Sequence, residues 1–461
     1  MDKNIYIDKC LEIIDGILVY GDKDAVLGKF SKDTRTIKAG EVYVGIKGEN
    51  FDGNAFYKDA FDKGASTCII DKSFYESLEQ EEIEDKNLIL VDDTISAIQK
   101  LARYKRSLVD IPVIAVTGSV GKTSTRNMIA SVLETKYKVL KTEGNYNNNI
   151  GLPITILGLT DEEVMVLEMG MNHLYEINLL STIASPTHAV ITNIGTAHIG
   201  NLGSRENILK AKLEILDGLK EDGTLFINND NDMLNGVLKD LKKRCNVVTV
   251  GIDNKSDYNA KNIEDEVFSS TFKIGENLIE VNAPGKAYIY NSLIAYAIGK
   301  ELNVDIQNIK RGIKNFKMEK NRLEKIDTKY GFTIINDTYN ASLDSIKNSL
   351  DLISKADYQR KVLVLGDVLE LGDFSKDIHE KIGLEIIKHK VDIVFAIGEN
   401  VKDTTRVLKE KNFNMDNVYS FDSEDMAHEK IKEVLKPGDI VLVKGSNGMH
   451  LINIVDDIKG N

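Results

Sequence analysis

The chain has no tryptophan, five prolines and three cysteines in 461 residues. With so little proline, linkers are not marked by proline-rich stretches, and domain limits must be read from the alternation of apolar and polar segments. Cys10, Cys68 and Cys245 are odd in number, far apart and without a Cys-x-x-Cys pair. That excludes a disulfide framework or a cysteine zinc site and fits a reducing cytoplasm. No apolar run approaches the ~20 residues that span a bilayer. The mixed-charge start, MDKNIYIDKCLEIIDG, lacks the apolar stretch of a signal peptide. An excess of positive charge is also missing: 59 Lys and Arg face 72 Asp and Glu, a net charge of −13. Bulk affinity for nucleic acid or an anionic membrane is disfavoured. A small anionic substrate is not excluded, because a local cluster of cations suffices. The expectation is a cytoplasmic monomer with no membrane insertion and no nucleic-acid partner.

What is present is organised by strands. The length implies roughly two to four domains, and no internal repeat or low-complexity tract occurs. Residues 1–108 read as short strands and turns with some helix: GEVYVGIKG (40–48) alternates between glycines, and FYKDAFDKGASTCIID (56–71) reads as helix, glycine stop and strand. Residues 109–317 alternate strand and helix, with buried-type strands in IPVIAVTG (111–118), EVMVLEMG (163–170), HAVITNIG (188–195) and GTLFINND (223–230). This predicts a mainly parallel sheet covered by helices. Residues 318–461 repeat the style in GFTIIND (331–337), KVLVLGD (361–367), VDIVFAIG (391–398) and DIVLVKG (439–445), a separate doubly wound unit. Polar residues sit at the carboxyl ends of these strands, the edge where open α/β sheets bind ligands.

TGSVGKTSTRN (117–127) follows the first buried strand and opens a predicted helix over 123–136. That is the context of a phosphate-binding loop. The common Walker A spacing requires a glycine at 116, where this chain has Val116. Two readings stand: a degenerate ATPase loop, or a different phosphate loop with its own task. Gly118 and Gly121 let backbone amides turn toward an anion, and the helix N-terminus adds partial positive charge. Lys122 reaches outer phosphates and Thr123 offers a hydroxyl to Mg²⁺.

Two further strand ends carry candidate ligands. Glu168 closes VMVLE, where a carboxylate is costly unless paired or bound to a cation. His198 follows a strand in TNIGTAHIG; alone, a histidine there is as readily a polar loop residue. Lys212 falls on the apolar stripe of Ile208, Leu209, Ile215 and Leu216, one turn from Ile208 and from Leu216. Lys210 does not. The stripe by itself favours a lysine whose ammonium snorkels to water over one turned into a site.

TGSVGKTST, EGNYNNNIGLP (143–153), LEMGMNHLYEI (167–177), TNIGTAHIGNLGSRENI (192–208) and AKLEIL (211–216) together resemble the central domain of the Mur ligases, ATP-dependent amide ligases of peptidoglycan precursor synthesis. Their loop, G-[ST]-x-G-K-[ST], needs no glycine at 116. VLGDVLELGDFSKDIHEKIG (364–383) and NDTYNAS (336–342) resemble the branch that adds a D-alanyl-D-alanine dipeptide, and DTRTIKAGEVYVGIKGENFDGNAF (33–56) resembles an N-terminal UDP-binding module.

The resemblance implies an α/β protein of three domains. These are a small UDP-sugar-binding domain (1–108), a central ATP-binding domain of the P-loop ATPase type (109–317) and a Rossmann-like domain (318–461) that takes the amine and closes over ATP. It implies that Gly118, Ser119, Gly121, Lys122, Thr123 and Ser124 hold the ATP phosphates. Thr123 and Glu168 would hold one Mg²⁺; His198 and a carbamylated Lys212 would hold a second, which reverses the snorkelling reading. It places Asn228, Asn291, Arg322 and Asp337 against the nucleotide, Thr34, Arg35, Lys47 and Gly48 against the UDP-sugar, and Asn147 and Asn148 toward the peptide-bearing substrate. The implied reaction joins D-Ala-D-Ala to UDP-MurNAc-tripeptide through an acyl phosphate. The chain departs from the family pattern at Ala287 and Tyr288, at Asn336, at Ser342 and Leu343, at Asn447, and at Leu174 and Tyr175. A ligase using another amine, and a nucleotide-binding relative without ligase activity, are the alternatives.

Overall fold

The computed structural model describes residues 3–78 and 86–460. Among the described residues the chain forms three sheets, of five, nine and six strands. The first has the spatial order Ile17–Tyr20, Asn87–Val91, Thr67–Asp71, Val42–Val44, Phe30–Ser31, with only the first pairing antiparallel.

The central sheet positions the candidate site. Val113–Thr117 lies between Val164–Glu168 and His188–Ile191, and all three run parallel, with Val116 opposite Glu168 and Thr117 opposite Ile191. Their residues, VIAVT, VMVLE and HAVI, are buried on both faces. Helices cover both sides, so these strands read as continuous apolar runs rather than alternating ones. The parallel register brings three carboxyl ends to one edge. The phosphate loop, Glu168 and the segment 192–198 therefore meet there.

The sheet continues through Thr224–Asn228, Asn246–Gly251 and Tyr258–Asp265 and then turns antiparallel into Ser270–Ile274 and Asn277–Val281. The apolar pattern of the sequence marks no strands at 258–281. Tyr258–Asp265 is mostly half-buried or exposed, so its apolar signal is diluted on the solvent side.

The C-terminal sheet runs Glu324–Asp327, Thr333–Asp337, Asp439–Lys444, Arg360–Gly366, Ile393–Ile397, Val418–Phe421. Only its first pairing is antiparallel. The four strands drawn from the sequence are its four central ones, and the two missed strands are its edges. The α/β class and the parallel-rich central and C-terminal sheets match the expectation.

The units touch through polar and close backbone contacts. Lys32 lies over the Tyr146 ring at 5.2 Å, and Gln99 donates to the Asn149 carbonyl at 2.9 Å, joining the N-terminal unit to the EGNYNNN segment. On the other side, Thr196 donates through its amide and hydroxyl to Asp344 at 2.9 and 3.1 Å. Gly200 lies so close to the backbone of Glu370–Gly372 that a Cβ would meet the Glu370 carbonyl oxygen at 2.4 Å. Only glycine permits that approach.

Candidate active site

The edge of the central sheet opens into a cleft of about 770 Å³, walled by the phosphate loop, the 145–149 and 168–176 segments, His198 and the C-terminal segments 339–345, 368–371 and 446–448. The loop is shaped by its neighbours. A Cβ on Gly118 would meet the Thr192 hydroxyl at 1.8 Å. Asn193 accepts from the Val120 amide at 3.0 Å and donates to the Val120 carbonyl at 2.8 Å, while Ser119 accepts from the Gly195 amide at 2.9 Å. Helix Lys122–Leu133 begins at Gly121 with no side-chain cap. Its first amides are thus left for a ligand, as an anion site at a helix N-terminus requires.

Of the residues singled out from the sequence, Ser119, Gly121, Lys122, Thr123, Asn147, Asn148, Glu168, His198 and Arg322 line this cleft. Lys122 curls back to the Gly118 carbonyl at 3.0 Å, and burial lowers its pKa against the pull of Glu168. Glu168 is 2% exposed. One oxygen accepts from Asn147 at 2.8 Å and the other pairs with Arg126 at 3.2 Å. The Thr123 hydroxyl accepts from Arg322 at 3.2 Å, and the Arg322 guanidinium stacks on Tyr339 at 3.8 Å. Asn148 accepts from the Gly151 amide at 2.9 Å, at the start of the helix Gly151–Leu157.

His198 adopts a left-handed backbone (φ 63°), and its Nδ1 meets Glu370 of the C-terminal unit at 3.2 Å. Burial, with Lys122, Lys212 and His173 nearby, pushes its pKa down to about 4, so the imidazole is neutral at neutral pH.

Lys212 is 1% exposed. Burial first, then the Lys122 charge, holds its pKa well below the ordinary lysine value. No hydrogen bond or ion pair engages its ammonium among the described residues, so the snorkelling reading does not hold. A buried cation without an anion is costly, and this one sits within the influence of two other nitrogen bases. The set of a carboxylate, a hydroxyl, a neutral imidazole and a depressed amine fits a hard divalent cation once an anion joins it.

Several expected residues, Lys212 among them, do not line the cleft. The Asn228 side chain accepts from the Asp230 amide at 2.9 Å, Asn291 accepts from the Thr125 hydroxyl at 2.8 Å, and Asp337 pairs with the buried Lys444. Gly118 and Ser124 are likewise absent from the cleft walls. In the N-terminal unit Arg35 is exposed and forked onto Asp33 at 2.9 and 2.6 Å, Thr34 hydrogen-bonds Asp59, and Lys47 and Gly48 sit in an exposed turn closed by a bond from the Gly48 amide to the Phe51 carbonyl at 2.9 Å.

Comparison with known proteins decides the family. The model of the Mur ligase middle domain matches residues 116–299, and that of the Mur ligase glutamate ligase domain matches residues 321–447. The chain is 38% identical over 452 residues to a Bacillus subtilis protein named UDP-N-acetylmuramoyl-tripeptide–D-alanyl-D-alanine ligase, covering 97% of this chain and 96% of that one. It belongs to the Mur ligase family.

A Synechocystis protein of the same name is 32% identical over 464 residues, covering 99% of this chain and 96% of the other. Among solved structures, MurF from Acinetobacter baumannii superposes with a TM-score of 0.87 at 26% identity over 99% of both chains. MurF from Thermotoga maritima in complex with ADP does so with 0.78 at 27% identity, over 94% of this chain and 97% of that one.

Three residues of this Mur ligase site escaped the sequence reading. Asn193 braces the loop, Glu370 meets His198, and Arg126 neutralises Glu168. Arg126 lies inside the very motif that was read, but its partners are 42 and 193 positions away. The departures from the family pattern are accommodated locally. Asn336 donates to Glu324 at 3.0 Å, where an aspartate would face that carboxylate. Tyr288 packs on Phe316 with ring centroids 5.8 Å apart and bonds Ser124. Ser342 forms a capping box with Ser345, and Leu343 is buried behind it. Asn447 donates to the Tyr339 carbonyl at 3.1 Å.

Proposed function

We infer that the chain is an ATP-dependent amide ligase of peptidoglycan precursor synthesis. It would join D-alanyl-D-alanine to the terminal carboxylate of the stem peptide of UDP-N-acetylmuramoyl-tripeptide, as a cytoplasmic monomer. The observation that carries the reading is the meeting of an uncapped helix N-terminus, Lys122, Glu168 and His198 at one edge of the central sheet, within reach of the charge of buried Lys212, which has no partner among the described residues. Whole-length similarity to proteins of that name supports the substrates, and likeness to the ADP complex supports the nucleotide. No helix of the described residues is long and apolar enough to cross a membrane.

A carboxylate is a poor acylating group at neutral pH. Its oxygen attacks the γ-phosphorus of ATP, the bond from that phosphorus to the ADP oxygen breaks, and an acyl phosphate forms. The dipeptide amine then attacks the carbonyl carbon; the C–N bond forms, the C–O bond breaks, phosphate leaves and the nitrogen loses a proton. Lys122 and the loop amides would neutralise the transferring phosphoryl group. Thr123 and Glu168 would hold one Mg²⁺, His198 and Lys212 a second. When bound, these ions supply charge neutralisation to the phosphoryl oxygens.

An amine held neutral by burial is the form that adds CO₂. A carbamate on Lys212 would turn it into an oxygen ligand and supply the missing anion. Arg322 would follow the nucleotide phosphates, with Ser119 and Ser124 from the loop and Asn228, Asn291 and Asp337 from farther out. Asn147 and Asn148 face the peptide side. Thr34, Arg35, Lys47 and Gly48 would grip the UDP-sugar. The proposed division of labour is 1–108 for UDP-sugar, 109–317 for ATP and 318–461 for amine and closure. The walls from 368–371 and 446–448 would exclude water from the acyl phosphate on closure.

A second reading keeps this chemistry and changes the amine. Asn447 and Tyr175 favour it, because both line the cleft and both depart from the family pattern. One experiment tests both. Purified protein receives ATP, Mg²⁺, UDP-MurNAc-tripeptide and a panel of dipeptides, and phosphate release is followed. D-Ala-D-Ala is the expected acceptor. Turnover only with another amine would establish the second reading, and absence of turnover with every amine would refute ligase activity.

A further inference from the structure

Arg126 is 1% exposed, and none of the chemistry above uses it. Its guanidinium is divided between two carboxylates. Nη1 meets Glu168 at 3.2 Å and Nη2 meets Glu319 at 2.7 Å. Nη1 also donates to the Gly144 carbonyl at 3.3 Å, Nε donates to Asn127 at 3.0 Å, and Asn127 in turn donates to Glu319 at 2.9 Å. Glu319 lies on the connection from helix Ile306–Lys314 to strand Glu324–Asp327, that is, from the central unit to the C-terminal sheet. Three residues on, Arg322 has its Nε 3.7 Å from Glu319, and its Nη2 donates to Thr123 at 3.2 Å. An unbroken series of charges and hydrogen bonds thus runs from Glu168 through Arg126, Glu319 and Arg322 to Thr123. Both of its ends are candidate cation ligands.

We propose that Arg126 is a positioning residue that couples cation binding at Glu168 to the seating of the interdomain connection carrying Glu319 and Arg322. The proposal rests on the reading that Glu168 faces a divalent cation. A guanidinium beside Glu168 competes with that cation for one carboxylate. Glu319 holds the other edge of the guanidinium and offsets part of its charge. Without the charge at 126, Glu168 is left buried and unneutralised, and a cation is favoured. Without the charge at 319, Arg126 leans wholly on Glu168, and a cation meets a stronger competitor. By reciprocity, a cation at Glu168 shifts Arg126 toward Glu319 and tightens the connection.

The signs make the test. Binding of a fluorescent N-methylanthraniloyl-ATP is titrated with Mg²⁺, and the half-saturating Mg²⁺ concentration is read without turnover. Arg126→Gln should lower it by about fivefold and Glu319→Gln should raise it by about fivefold. The double variant should follow Arg126→Gln, and Arg126→Lys should stay near the wild type. A merely structural arginine predicts weaker Mg²⁺ use in both single variants. Shifts in the same direction, or no shift, overturn the coupling. If Arg126→Gln does not fold, Arg126→Met takes its place and should also lower the half-saturation, and a half-saturation in Glu319→Gln that is unchanged or lower overturns the proposal. Nucleotide binding that ignores Mg²⁺ altogether overturns the cation reading and the coupling together. Mg²⁺-dependent binding without opposite shifts overturns only the coupling.

Discussion

Two lysines, Lys212 and Lys444, are each 1% exposed, and they have opposite fates. Lys444 ends a strand of the C-terminal sheet, pairs with Asp337 and donates to the Asn340 carbonyl at 3.1 Å. Lys212 lies buried in the helix Arg205–Leu213, feels the charge of Lys122, and has no partner among the described residues. A buried cation with its anion is a strut within a unit. A lysine buried without an anion is driven toward its neutral amine, a reactive form, and so marks a candidate site. Sequence treats the two alike, since each is a lysine set among apolar residues.

The largest effect expected from this contrast is on turnover. Lys212→Ala should reduce phosphate release by about 10³-fold, the scale of losing a group that organises charge at the reacting phosphoryl. In CO₂-depleted buffer without nucleotide or Mg²⁺, the same variant should unfold no earlier than the wild type, because a buried polar amine without a partner among the described residues has been removed. Short carboxylates should restore part of the activity. Loss of both stability and activity, with no rescue, would make Lys212 a strut like Lys444.

Next in size is the reverse experiment. Lys444→Met leaves Asp337 buried without its counter-charge and should cost about 3 kcal/mol in denaturant unfolding. Ser349 at 2.7 Å and the Leu323 amide at 3.3 Å retain contact with that carboxylate. The double variant Lys444→Met with Asp337→Leu should recover most of the loss. If Lys444→Met unfolds like the wild type, pairing is not what separates the two lysines.

The same contrast explains how far the sequence was readable. Strands buried on both faces were visible as apolar runs, and their carboxyl ends pointed to the ligand edge. The loop, Glu168 and His198 were legible because each follows such a strand. Lys212 needed the family resemblance, because the helical stripe gives its direction and not its partners. Arg126, Asn193 and Glu370 were invisible because their meaning lies in contacts between distant segments. The strands at 258–281 and 324–327 were missed because edge and hairpin strands expose half their residues.

Arg35 extends the comparison to a surface cation that already has an anion. Its fork is bound by Asp33 at 2.9 and 2.6 Å, so gripping a diphosphate would mean exchanging one partner for another. Arg35→Ala should leave unfolding unchanged and raise KM for the UDP-linked substrate by about fivefold, as loss of one charge-assisted contact does. An unaltered KM would remove Arg35 from the UDP-sugar site.

His428 completes the series as a cation between two anions, with Nε2 2.6 Å from Glu424 and Nδ1 2.9 Å from Asp457. Burial alone would lower its pKa, but the hydrogen bonds to Glu424 and Asp457 outweigh it and raise the value above the ordinary 6.5. A raised folded-state pKa contributes stability that is fully present below the unfolded value and is lost as pH rises through the folded one. The wild type should therefore be more stable than His428→Gln in denaturant unfolding at pH 6, by under about 1 kcal/mol given solvent screening. The difference should vanish toward pH 9, while phosphate release stays equal in the two proteins. A change in turnover would mean that a fully paired cation can also serve the site, and the distinction drawn from Lys212 and Lys444 would fail.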